Sequence, residues 1–277
     1  MQQATVAKAV SYTGIGLHSG QDVTITLRPA PVDTGIVFAR TDLPGAPQVA
    51  ARAGNVTNTL RATTLEDGPA KVFTVEHLLA AFAAMGVDNC LVEITAVEPP
   101  VADGSALPFV RLIEEAGISR QDAPRRTLAV TEALAVRAQD KFITILPYDG
   151  LRITFTSVNP HPLIGIQFGD YEITPEVFVR EIAPARTIGF MHEVEALKAQ
   201  GLALGGSLEN AVVYDDDKIL TPLRFSDELV RHKILDIIGD LALAGCVRGH
   251  VIAVKSSHAL NTALAKQISA SVYAKRQ

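Results

Sequence analysis

The feature that most constrains this chain is an echo within it. The stretch from Val75 to Met85 contains Glu-His-Leu-Leu-Ala-Ala-Phe-Ala-Ala, mostly good helix formers, and is followed by Gly86 as a stop and by the strand-like Cys90-Leu-Val-Glu-Ile. Leu229 to Ala244 repeats the helix, Gly245 the stop, and His250-Val-Ile-Ala-Val-Lys the strand. A second, shorter helix is expected after each strand, at Ser105-Ala-Leu-Pro-Phe-Val-Arg-Leu-Ile and at His258-Ala-Leu-Asn-Thr-Ala-Leu-Ala. The offset is nearly constant, 155 residues from His77 to His232 and 153 from Leu107 to Leu260. Such constancy across helix, strand and helix marks a duplicated unit, with a period far too long for a solenoid.

The strands ahead of the helices agree. Asp22-Val-Thr-Ile-Thr-Leu-Arg-Pro alternates apolar and polar residues and ends at proline, as a half-buried strand does, and Lys141-Phe-Ile-Thr-Ile-Leu-Pro repeats the pattern. The expected fold is therefore α+β, two related domains over residues 1–122 and 127–277, each a β-sheet with helices. The polar, proline-containing Ser119-Arg-Gln-Asp-Ala-Pro-Arg-Arg is expected to join them as a linker. The second half holds about 36 extra residues between its first strand and main helix, expected as an inserted segment around 160–222; insertions this long are commonly functional.

Composition narrows the function. Of 277 residues 48% are apolar and 20% charged, enough to bury a sizeable core against chain entropy. A net charge of -5 opposes a nucleic-acid reader, which concentrates Lys and Arg on one face. No run approaches ~18 apolar residues and Met1-Gln-Gln-Ala-Thr-Val does not start like a signal peptide, so a soluble, cytoplasmic chain is expected; a monomer is expected as well. A mean hydropathy of +0.22 is compatible with a greasy groove or transient contact with a membrane surface. Cys90 and Cys246 match no metal-ligand spacing and are expected as buried free thiols in a reducing compartment.

Two residue pairs carry chemistry. His232 and Asp236 lie four apart on a helix, hence on one face. Glu76 and His77 stand at a helix start, where adjacent side chains flank one small site only near the helix end. Either pair alone is equally well an ordinary surface arrangement. Duplication changes this by putting the two helices at equivalent positions of similar domains. Packed together they supply His77, His232 and Asp236, the ligand count of a catalytic zinc, with Glu76 as general base. His258, opening the last helix, is a candidate proton donor, and Asp240, one turn beyond Asp236, a candidate partner holding it cationic.

Several segments together resemble the UDP-3-O-acyl-N-acetylglucosamine deacetylases of lipid A biosynthesis. They are Thr13-Gly-Ile-Gly-Leu-His-Ser-Gly, Thr74-Val-Glu-His-Leu-Leu-Ala-Ala, Asp103-Gly-Ser-Ala, Ala185-Arg-Thr-Ile-Gly-Phe, Leu202-Ala-Leu-Gly-Gly-Ser-Leu-Glu-Asn-Ala, Arg231-His-Lys-Ile-Leu-Asp and His258-Ala-Leu-Asn. The resemblance implies helices of both domains packed between the two sheets. It also implies Zn2+ on His77, His232 and Asp236, Glu76 as base, His258 as acid and Asp240 as its partner. It implies further that Thr187 donates to the oxyanion, that Lys233 touches substrate near the metal, and that the insertion walls a passage for the acyl chain of a UDP-linked amino sugar. Leu197, Leu202, Ala203 and Leu204 are the expected wall, with Phe190 and Lys255 as further substrate contacts.

Three departures stand out. Ile188 replaces a usual phenylalanine beside Thr187, Ser257 replaces the glycine before His258, and Val158-Asn159 replace Asp-Phe ahead of His161. They bear on the shape of the site, on the backbone angle at His258 if that glycine has positive φ, and on the nucleotide grip. The rival readings are a metal-binding relative that has lost turnover and a fusion with a fatty-acid dehydratase, for which 277 residues leave no room.

Overall fold

The computed structural model describes residues 1–274, with side chains to residue 271. The first half runs through strands β1 (Gln2–Val6), β2 (Val10–Ile15), β3 (Asp22–Pro29), β4 (Ile36–Arg40), β5 (Gln48–Ala50), β6 (Val56–Asn58), β7 (Thr64–Asp67) and β8 (Ala70–Val72). Helix α1 (Glu76–Met85), strand β9 (Cys90–Ile94) and helix α2 (Leu107–Ala116) close it. The second half begins with β10 (Ile118–Pro124), β11 (Thr127–Ala129), β12 (Leu134–Ala138), β13 (Lys141–Leu146), β14 (Leu151–Val158) and β15 (Ile166–Glu172). The single turn α3 (Pro175–Val177), strand β16 (Ile188–Phe190), helix α4 (Met191–Ala199) and strand β17 (Val212–Tyr214) follow. Helix α5 (Glu228–Ala242), strand β18 (Cys246–Val254) and helix α6 (His258–Ala274) complete it.

The echo is topological as well as local. One sheet has the order β2-β3-β9-β4-β5 and the other β12-β13-β18-β14-β15. In both, the central strand is antiparallel to one neighbour (β3, β13) and parallel to the other (β4, β14). α5 packs on β14 and β15, α6 on β12 and β13, and α2 on β2, while α1 packs against α2 and α5. The helices therefore lie between the two sheets. α1 is buried continuously from Glu76 to Phe82 because its sequence is apolar on every side after the first turn, which suits a helix covered on all faces.

One core links Ile25, Phe38 and Val92 of the first sheet through Leu78 and Phe82 of α1 to Ile234 and Ile238 of α5, and on to Ile143, Phe155 and Val251 of the second. Each such side chain contributes ~1.5–3 kcal/mol by leaving water. Gly239 lets α1 and α5 meet, since a Cβ there would overlap the main chain of Glu76. Gly86 ends α1 in the left-handed conformation (φ 74°), the expected stop.

Several expectations are corrected. Ser119 to Pro124 is no free linker but part of β10, antiparallel to β1, because the N-terminal strand needs a partner for its main-chain groups and finds it there. The second helix is not the shorter one in either half: α2 equals α1 at 10 residues, and α6 has 17 against 15 for α5. Within the stretch expected as an insertion, β15 takes the place in the second sheet that β5 has in the first and pairs with β14 over its full length. The first half also has an insertion of its own, the three-stranded sheet β6-β7-β8 ahead of α1. Cys90 is buried, its thiol pushed up to about 12 by burial, but Cys246 is only half-buried; both are free.

Candidate metal and catalytic site

The approach of α1 and α5 brings residues 155 positions apart into contact. The rings of His77 and His232 meet edge to face, centroids 5.0 Å apart. Oδ1 of Asp236 lies 3.7 Å from Nε2 of His77 and 3.5 Å from Nε2 of His232. All three residues are buried, and one ligand atom from each lies within 4.8 Å of the others. His232 donates Nδ1–H to the carbonyl of Ala185 (3.1 Å), which fixes the tautomer and leaves Nε2 with a lone pair toward the cluster.

The donor set fits zinc. Oδ1 of Asp236 is a buried carboxylate oxygen without a hydrogen-bond partner, while Oδ2 accepts from Lys233 Nζ at 2.8 Å. Burial, then the neighbouring His232, holds His77 down at about 3, and burial also lowers His232, so both imidazoles are neutral and able to ligate at neutral pH. Asp236 is itself held far below the usual carboxylate range: burial opposes ionisation, but Lys233 and the surrounding histidines outweigh it.

Glu76 and His258 sit beside this cluster. Oε2 of Glu76 accepts from the main-chain N–H of Thr63 (3.1 Å), and Oε1 lies 3.9 Å from His258 Nε2. Burial pushes Glu76 up to about 7, helped by Asp240 and Asp236 against His258. Burial by itself would lower His258, but Asp240, Glu76 and Asp236 together raise it to about 10. Nδ1–H of His258 donates to Oδ2 of Asp240 at 2.9 Å, an oxygen that also accepts from Asn261 (2.9 Å). The other oxygen of the fully buried Asp240 accepts from the hydroxyl of Thr63 at 2.6 Å. The arrangement holds a carboxylate poised near neutrality against a cationic imidazole, as paired base and acid chemistry requires.

Thr187 follows Ala185 by two residues and is held by its main chain, N–H to the carbonyl of Gly104 and carbonyl to the N–H of Val212, both 2.8 Å. Gly104 (φ 86°) admits this because a Cβ would collide with the carbonyl of Asn210. Ile188 packs in a small cluster with Tyr214, Leu229 and Phe190, and Phe190 stacks near His161 and His192. Ser257 has no positive φ; Lys255 carries the left-handed turn before α6 instead (φ 54°). Lys255, just beyond β18, pairs with Asp140 in the turn between β12 and β13, so its ammonium is already engaged. Val158 is exposed at the end of β14, and Asn159 caps the following turn by accepting from the N–H of His161 (2.9 Å).

Leu197 and Leu202 line a cavity of about 290 Å³ together with Leu60, Arg61, His192, Glu193, Ala196 and Gln200. Arg61 and Glu193 form an ion pair (3.0 Å) across it. Ala203 and Leu204 are not among its lining residues. Their N–H groups bond to His18 Nδ1 (3.3 Å) and to the His18 carbonyl (3.1 Å), docking this segment on the first half.

Several residues of the site escape a reading of the sequence. Buried Glu98 accepts from the N–H groups of His18 (3.0 Å) and Ser19 (2.5 Å) and from the hydroxyl of Thr74 (3.0 Å), holding the loop on which residues 203–205 rest. Thr74, just ahead of α1, thus gives its hydroxyl to Glu98, and α1 starts without a side-chain cap. Arg186 and Glu228 form a buried pair (2.8 Å) that ties the strip carrying Thr187 to the start of α5. The one available signal was Gly239, a glycine inside an apolar helical pattern, which usually has a packing reason.

Residues 3–270 match the family LpxC, UDP-3-O-acyl N-acetylglycosamine deacetylase. Over 277 residues the chain is 47% identical to a UDP-3-O-acyl-N-acetylglucosamine deacetylase of Hahella chejuensis, covering 97% of this chain and 90% of that one. It is 51% identical over 271 residues to a protein of the same name from Anaeromyxobacter sp., covering 97% and 88%. A third, from Pseudomonas entomophila, is 46% identical over 275 residues, covering 98% and 91%. Since the match runs through both sheets and through both helices that build the buried cluster, the chain belongs to the UDP-3-O-acyl N-acetylglycosamine deacetylase family.

Proposed function

We propose that this chain hydrolyses the N-acetyl group of a UDP-3-O-acyl-N-acetylglucosamine, giving the free 2-amino sugar nucleotide and acetate, an early committed step of lipid A synthesis. One observation carries the reading: two neutral imidazoles, His77 and His232, and the partnerless oxygen of Asp236 converge at a single buried point, with the buried carboxyl of Glu76 close enough to feel the Asp236 charge. Family membership supports the substrate class.

His77, His232 and Asp236 hold zinc in this reading. An ion held there would be the Lewis acid that acidifies water and polarises a carbonyl. Glu76, poised near neutral pH, takes the proton of the attacking water as oxygen adds to the acetamide carbon. Thr187 donates its hydroxyl to the oxyanion that develops there. His258, kept cationic by Asp240, protonates the nitrogen as the carbon–nitrogen bond breaks. Lys233 contacts substrate beside Asp236, Leu197 and Leu202 face the acyl chain, and Phe190 lies toward the sugar nucleotide. The protein acts as a monomer in the cytoplasm, touching the membrane surface transiently; among the described residues no helix is long and apolar enough to cross a membrane.

The test is acetate release from the UDP-linked acyl sugar, with zinc content measured on the same sample. Zinc-loaded protein that releases no acetate overturns the reading in favour of a metal-binding relative without turnover.

A further inference from the structure

Thr63 lies between the base and the partner of the acid yet belongs to none of the helices that carry them. It directly precedes β7, in the three-stranded insertion of the first half, and is completely buried. Its main-chain N–H holds Oε2 of Glu76, on α1, and its hydroxyl holds Oδ1 of Asp240, on α5. The hydroxyl donates in that 2.6 Å bond. The remaining oxygen of Asp240 receives His258 Nδ1–H and Asn261. Three donors thus fix the plane of one carboxylate, and Thr63 is the one on Oδ1, the oxygen that does not receive His258.

We propose that Thr63 is a positioning residue that sets the general base and the general acid relative to each other, and that delivering it is the work of the β6-β7-β8 insertion. Pinning Oε2 leaves Oε1 of Glu76 as the oxygen nearest His258. Pinning Oδ1 of Asp240 keeps Oδ2 aimed at the imidazole. Loss of the hydroxyl would leave a buried carboxylate oxygen without a donor and free the carboxylate to turn. The proposal rests on the assignment of Glu76 and His258 as base and acid.

The experiment compares Thr63→Val, which keeps the shape and the N–H but loses the hydroxyl, with Thr63→Ser, which keeps both donors, in the zinc-loaded full chain. Thr63→Val is expected to lower kcat about tenfold or more with KM and zinc content unchanged, and Thr63→Ser to restore most of it. In an Asp240→Ala background Thr63→Val should cost little more, because its partner is gone. In zinc-free protein the downfield Nδ1–H proton resonance of His258, identified by its absence in His258→Gln, should move in Thr63→Val and return in Thr63→Ser. Should the valine variant be insoluble, Thr63→Ala reads the same loss. Wild-type kcat in the valine or alanine variant, a serine variant as slow as either, or losses that add to those of Asp240→Ala overturn the proposal. If Glu76→Gln and His258→Gln are inactive while Thr63→Val is not, only the Thr63 assignment falls; if those two variants turn over normally, the base and acid assignment falls and takes Thr63 with it.

Discussion

Nε2 of His77 lies 3.7 Å from Oδ1 of Asp236, although the two residues come from opposite halves of the chain. The oxygen has no hydrogen-bond donor, an arrangement that costs folding free energy unless a cation completes it. Zinc at about 100 times its dissociation constant should therefore stabilise the protein by about 2.7 kcal/mol, seen as a rise in Tm. His77→Ala and Asp236→Ala should lose the zinc and the shift together. Zinc content by elemental analysis checks this, and retention of stoichiometric zinc by either variant would refute the ligand set.

Glu76→Gln keeps the size of the side chain and an oxygen for the Thr63 N–H but removes the proton acceptor. It should retain zinc while kcat falls ~10²–10⁴-fold, the usual worth of a positioned base. A glutamine variant at full activity would show that another group takes the proton.

The raised proton affinity of His258 sets an alkaline limit. Its donor form is present below about pH 10 and is lost as the pH rises through that value, so activity should fall there. In Asp240→Asn the largest attraction is gone while the burial that opposes the cation remains, so the limb should move to lower pH. A pH profile whose alkaline limb stays in place in Asp240→Asn contradicts the pairing.

Gly239→Ala places a methyl group against the main chain of Glu76. Forcing α1 and α5 apart should cost about 1–3 kcal/mol, read from the denaturant midpoint, and should weaken zinc binding because the ligands sit on both helices. An alanine variant of native stability and zinc affinity would mean that the helices have slack.

Leu202→Glu puts a charge into the cavity shared with Leu197. KM for a long-chain acyl substrate should rise, with kcat within about twofold, because uniform binding is what is lost. A short-chain substrate should be indifferent. Equal effects on both substrates would place the acyl chain elsewhere.

Much of the fold was legible because its causes are local. The alternation in Asp22–Pro29 and Lys141–Leu146 appears unchanged as β3 and β13, and Gly86 stops α1. The duplication was legible because the same patterns recur in the same order. Ser119–Pro124 was misread because its composition suits a linker, while its strand conformation depends on β1, far away in sequence.

The sequence by itself determined the main helices and the central strands, the two-fold plan and the residues able to bind a metal, since periodicity, stop signals and donor chemistry are written one residue at a time. Only the tertiary structure decided that His77 and Asp236 meet, that Lys255 is held by Asp140 and that Thr63 stands between Glu76 and Asp240. Those relationships join residues from 13 to 177 positions apart, and such contacts arise from packing, here from the absent side chain of Gly239 and from the shared core. Burial then decides the chemistry, because the same carboxylates and imidazoles in water would keep their ordinary proton affinities.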